Sequence, residues 1–156
     1  MKHPDSLWQR YRYYLSGIVL LFPLWYFYQA LHPQFPAPWP SQQLGPFTIA
    51  PMPLNLKPPY IHHDQYLKDF YLAFQQGDVA QIRQGYVNLG PEALPLGQLQ
   101  QAADGILHGS RHGQHVHAIA PATLDEGDKL WLTIETWEGE ILIASWELPV
   151  ALLTTP

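Results

Sequence analysis

Apolar positions run unbroken early in the chain and alternate with polar ones later. Tyr13 to Leu31 (YYLSGIVLLFPLWYFYQAL) holds nineteen residues without a formal charge. As a helix it is about 28 Å long, close to the thickness of a bilayer's hydrocarbon core. Trp8, Tyr11, Tyr13 and Tyr14 at one end and Trp25, Tyr26, Phe27 and Tyr28 at the other resemble the aromatic belts of a retained transmembrane helix. Tyr28-Gln29-Ala30 is a poor processing signal, which argues against a cleaved leader. Pro23, in mid-span, predicts a kink.

Beyond the span the pattern changes period. Lys129–Trp137 and Glu140–Leu148 are rich in β-branched and aromatic residues and predict a hairpin, with Glu138-Gly139 as a two-residue turn. That turn sets Trp137 opposite Glu140, Glu135 opposite Leu142 and Trp131 opposite Trp146. Leu130, Leu132, Ile134, Ile141 and Ile143 then form the core face, and the tryptophans share the other. Leu44–Ala50 reads as an opening strand closed by Pro51 and Pro53, and Gly113–Ala120 as a strand ending at Pro121. Residues 64–88 fit both periods: Phe70, Leu72 and Phe74 alternate, while Tyr66, Leu67, Phe70, Tyr71 and Phe74 also share a helical face. The expected fold is mainly β: one transmembrane helix followed by a small immunoglobulin-like β-sandwich. The alternative is an α+β domain with a helical pair at 64–88.

The expected organisation is a cytoplasmic N-terminus (1–12), the transmembrane helix (13–31), a proline-rich linker (32–46), the β-domain (47–150) and a C-terminal tail (151–156). Five prolines in His32–Pro46 predict an extended, semi-rigid spacer. Sixteen prolines and eleven glycines along the chain argue for short elements joined by turns, against a helical bundle.

Charge gives the orientation. Lys2, Arg10 and Arg12 precede the span, and no further Lys or Arg occurs before Lys57. The positive-inside rule keeps the N-terminus in the cytoplasm and places the domain in the periplasm, on the far side of a bacterial inner membrane. After residue 31 twelve acids outnumber five cations, which excludes nucleic acid as a partner. The chain has no Cys, so disulfides, thiolate ligands and redox thiols are excluded.

The candidate chemistry lies in HGSRHGQHVH: His108, His112, His115 and His117. On a strand, His115 and His117 point the same way with backbones roughly 6–7 Å apart, a chelating spacing. His112 and His108, in a Gly-containing loop, fold back to add a third ligand. Neutral imidazoles without thiolates suit a divalent transition metal, copper or zinc. The same histidines also read as an interaction surface or a pH-responsive patch. His62-His63-Asp64 is a second, weaker group. Asp125-Glu126-Gly127-Asp128 lacks the alternating ligands of a calcium loop, and Ser110 lacks a nucleophile-elbow context, so an enzyme is not expected.

The order of parts, an anchor, a proline-rich stalk, GPFTIAPMP and the LWLTIETWEGEILIASWEL hairpin, resembles the FixH and YtkA-like group. These are single-span bacterial proteins with an exported immunoglobulin-like β-sandwich. The resemblance implies an accessory protein for metal handling or for assembly of a membrane redox system, with the inner membrane and another integral membrane protein as partners. A non-catalytic subunit of a membrane complex, with no metal of its own, is the competing expectation.

Overall fold

The computed structural model describes residues 7–32, 34–111 and 113–153. The chain forms two compact units, Met1–Gln34 and Phe35–Pro156. The first is helical, with α1 (Leu7–Val19) and α2 (Leu21–Leu31) meeting at Leu20. Pro23 explains the joint. It has no N–H for the carbonyl four residues earlier, and its ring crowds that carbonyl, which belongs to Val19. Tyr11–Leu31, 21 residues, is the one helix among the described residues long and apolar enough to cross a membrane. Its described side chains are all exposed.

The second unit is mainly β. Its strands are β1 (Gln42–Leu44), β2 (Phe47–Pro53), β3 (Tyr60–His62), β4 (Gln65–Gln76), β5 (Ile82–Gly90), β6 (His108–Ser110), β7 (Gly113–Ala120), β8 (Lys129–Thr136) and β9 (Ile141–Glu147). Two short helices, α3 (Leu96–Gln101) and α4 (Val150–Leu153), complete it. The strands pair in one sheet, in the order β1-β2-β4-β7-β5-β8-β9, with β3 on β4 and β6 on β7. The sheet nearly closes, the Gln42 amide donating to the Ser145 carbonyl from β1 to β9 at 2.8 Å. The β-rich expectation therefore holds, but as one continuous curled sheet and not as two sheets facing each other. The helical pair at 64–88 is replaced by β4 and β5. Phe70 and Leu72 alternate inward at 0% exposure, and tertiary pairing on both sides of β4 overrides the helical period.

The core lies inside the curl. Phe47, Ile49, Phe70, Leu72, Val87, Val116, Leu130, Leu132 and Ile134 are fully buried there. The β8–β9 hairpin forms where expected but one residue out of register. Leu130 faces Trp146, and Trp131 faces Ser145. The loop has three residues, 137–139. Gly139 takes φ +82° and donates its N–H to the Thr136 carbonyl, while Thr136 N–H bonds back to Glu140. A turn followed by a left-handed glycine makes such a loop, and a slip of one position swaps the faces of β9. Trp146 is thus buried, and Ile141 and Ile143 are exposed.

The proline-rich stretch departs from a free spacer over much of its length. Trp39 is buried, its ring edge-on to Phe70 at 5.4 Å, and its backbone N–H donates to the Pro51 carbonyl at 2.8 Å. The Trp146 indole N–H donates to the Pro40 carbonyl at 2.9 Å. Pro53 ends β2 as expected, but Pro51 lies within it. The Pro51 carbonyl points away from β4 toward Trp39, so the missing N–H lies on the side where no ladder bond is lost.

Lys68 shares the inward parity of Phe70 and Leu72, at 1% exposure. Its ammonium donates to the Asn55 carbonyl (2.8 Å), the Asn55 side-chain oxygen (2.8 Å) and the Lys57 carbonyl (2.6 Å), which uses all three protons. Burial lowers its pKa from 10.5 to about 8, against an upward pull from Asp69. Between those values the unfolded chain holds a proton that the folded chain has released, so this group makes stability rise with pH. The contribution is expected to grow from about pH 8 to 10.5 in chemical denaturation and to be missing from Lys68→Met. A wild-type profile parallel to that of the variant would refute it.

Candidate metal centre

β7 alternates because one of its faces is core. Val116 and Ala118 point inward, which turns Gly113, His115 and His117 outward. β4 lies antiparallel beside it, with Asp69 opposite His117 and Tyr71 opposite His115. On the other side the β6–β7 hairpin sets His108 opposite His115. Residues 105–107 deliver His108 by running between β5 and β7. Gly105 N–H bonds to the His117 carbonyl at 2.9 Å, and Leu107 N–H to the Gly85 carbonyl at 2.9 Å. Gly113 is required by packing, since a Cβ there would overlap the Tyr71 ring.

Three of the four histidines singled out by spacing meet. His108, His115 and His117 bring one ring nitrogen each within 4.8 Å of one another. Ring centroids are 5.0 Å apart for His108–His115, 4.7 Å for His115–His117 and 5.8 Å for His108–His117. His112 lies outside the described residues. His62 and His63 do not join the group. His62 ends β3 and His63 opens the β3–β4 turn, where His63 and Asp64 both take positive φ, and the two imidazole rings contact each other.

The hydrogen-bond partners assign the tautomers. His108 Nδ1 lies 3.1 Å from the Ile106 carbonyl, which only accepts, so Nδ1 carries the proton and Nε2 the lone pair. His117 Nδ1 donates to Asp69 Oδ1 at 2.6 Å, which leaves its Nε2 as an acceptor also. The Tyr60 hydroxyl donates to the same carboxylate oxygen at 2.8 Å and lies 3.2 Å from His117 Nδ1. His115 Nδ1 donates to His108 Nε2 at 3.1 Å.

The electrostatics favour neutral imidazole at the centre. The His115 pKa is lowered by burial, then by the neighbouring His117 and His108, against an opposite pull from Asp69. The Tyr60 phenol is pushed up to about 12 by burial, by its bond to Asp69 and by the charges of Asp69 and Asp104, so it remains a donor.

The donor set fits a borderline divalent ion: imidazole nitrogens, a nearby carboxylate and no thiolate. In a tetrahedral zinc site, ligand nitrogens lie about 3.3 Å apart. His115 Nδ1 and His108 Nε2, 3.1 Å apart, are near that spacing, and His115 Nδ1 would become a ligand there once its proton moved to Nε2. Asp69 and Tyr60 were not visible as site residues in the sequence. The only cue was the polar Asp69 between Leu67 and Tyr71 on the outward parity of a strand, and its value depends on knowing that β4 pairs with β7.

Fold and site together describe a β-rich domain, preceded by one helix apolar enough to cross a membrane, that carries a three-histidine cluster on an outer strand face. The model of a family described as uncharacterised conserved protein UCP029505 matches residues 7–149, and the chain belongs to that family. No curated protein and no solved structure matches it.

Proposed function

We propose that the chain is a membrane-anchored accessory protein whose β-domain holds a divalent transition metal, copper or zinc, at His108, His115 and His117, for handling or transfer. The observation that carries this reading is the convergence of three imidazoles from two strands, two of them with Nδ1 committed elsewhere and Nε2 left as a lone pair. The bound ion would supply Lewis acidity or cargo. The apolar core is complete without these side chains, which suits an exchangeable ion better than a structural one. The reading rests on the histidines and the anchor, and only secondarily on the likeness to FixH and YtkA-like proteins.

Equilibrium dialysis of the full chain in detergent against zinc(II) or copper(II) is the test. One ion per chain is expected, and none in His115→Ala/His117→Ala. Equal binding by both proteins would overturn the assignment.

The reading also places the domain in the periplasm, on the charge asymmetry around the span. A C-terminal reporter that works only in the periplasm is expected to be active, and activity of a cytosol-only reporter would contradict the orientation.

The exposed Trp137 (66%), Ile141 (41%) and Ile143 (50%) favour a second reading. Ile141 and Ile143 share the outer face of β9 and Trp137 lies in the loop before it, apolar side chains suited to a non-catalytic subunit of an inner-membrane complex. A stable larger assembly in mild detergent that survives chelation would support that role, and a monodisperse monomer would oppose it.

A further inference from the structure

We infer that Asp69, steadied by Tyr60, is the positioning residue of the histidine cluster: it fixes the His117 ring so that Nε2 faces the position of the ion. The inference rests on the metal reading for its purpose, although the tautomer it predicts exists without metal.

His117 is half-exposed on a strand face, where an imidazole unconstrained by neighbours samples both tautomers and two ring orientations. Asp69 lies directly across the ladder from it, and the 2.6 Å bond from Nδ1 allows one tautomer only. The carboxylate is held in turn. Tyr60, reaching over from β3, donates to the same oxygen. The third strand therefore contributes no ligand and still constrains one. The Ile106 carbonyl does for His108 what Asp69 does for His117. The difference is charge: a carboxylate also makes the imidazole a stronger donor to a cation, and an amide carbonyl does so less. A carboxylate behind a metal-binding imidazole commonly changes affinity 10–100-fold.

The test uses the full chain, with zinc(II) as the probe and long-range 1H–15N spectra of the imidazoles as the second readout. In the metal-free wild type the His117 signals, identified by their loss in His117→Ala, should show a protonated Nδ1 and a bare Nε2. In Asp69→Ala the two nitrogens should move toward averaged tautomers, and the zinc Kd should rise about 10–100-fold. Tyr60→Phe should give a change in the same direction of less than about tenfold. Asp69→Asn, which keeps the shape and removes the charge, serves if the alanine variant does not fold, and should weaken zinc in the same sense.

An unchanged tautomer with unchanged affinity would overturn the inference while leaving the three ligands in place. Loss of zinc in Asp69→Ala as complete as in His117→Ala would also overturn it, making Asp69 a direct ligand. If the wild type binds no zinc, the metal reading falls, and the tautomer of His117 still decides whether Asp69 positions the ring.

Discussion

Trp39→Ala is expected to cost the domain about 3 kcal/mol, because it removes a large buried aromatic and leaves a cavity beside Phe70. The corresponding fall in melting temperature is about 10 °C for a domain of this size. Near-UV circular dichroism of the full chain in detergent reads it directly. A tryptophan in a free spacer would change stability by less than about 0.5 kcal/mol. The two pictures of the proline-rich stretch therefore differ well beyond measurement error. The predicted loss comes from packing, since the backbone bond from Trp39 to Pro51 survives the substitution. An unchanged melting temperature would mean that residues 36–40 are not part of the domain.

His115→Ala/His117→Ala is expected to weaken zinc or copper(II) binding by much more than the roughly hundredfold that loss of an outer partner costs, since it removes two of the three proposed ligands. Both side chains point outward, and neighbours on the opposite parity, Val116 and Ala118, carry the packing. The variant should therefore keep its fold and melt within a few degrees of the metal-free wild type. The comparison must be made metal-free, because a bound ion raises the wild-type melting temperature by mass action. Isothermal titration of the two proteins checks it. Equal affinities would remove the histidines from any metal site.

Elements with a plain local pattern were legible in the sequence. β7 was readable to its ends because one face is core, the other is open, and Pro121 stops it. The hairpin of β8 and β9 was readable as a hairpin, but its register was not. A two-residue type I′ turn needs positive φ at both Glu138 and Gly139, and only Gly139 has it, so the loop takes three residues and Trp146 is buried in place of Ile143. The stretch from 64 to 88 was ambiguous because aromatic residues fall on both periods, and pairing with β2 and β7 made the choice. Prolines 36, 38 and 40 announced an extended chain. Nothing local announced that Trp39 would pack on Phe70, more than thirty positions away.

The candidate site shows the same division. Four histidines in ten residues were visible, and the alternation placed two of them on one face. Bringing in His108 took a hairpin, and His112 lies outside the described residues. Asp69, Tyr60 and the Ile106 carbonyl orient the rings from three separate segments, so they belong to the folded sheet and not to any motif.

X-ray absorption at the zinc or copper edge of the loaded full chain decides whether an ion sits among the three imidazoles on the outer face of β7. The expected spectrum has a first shell of nitrogen and oxygen at about 2.0–2.1 Å, with the multiple scattering of about three imidazoles. A shell with no imidazole scattering, or with one imidazole at most, would contradict it.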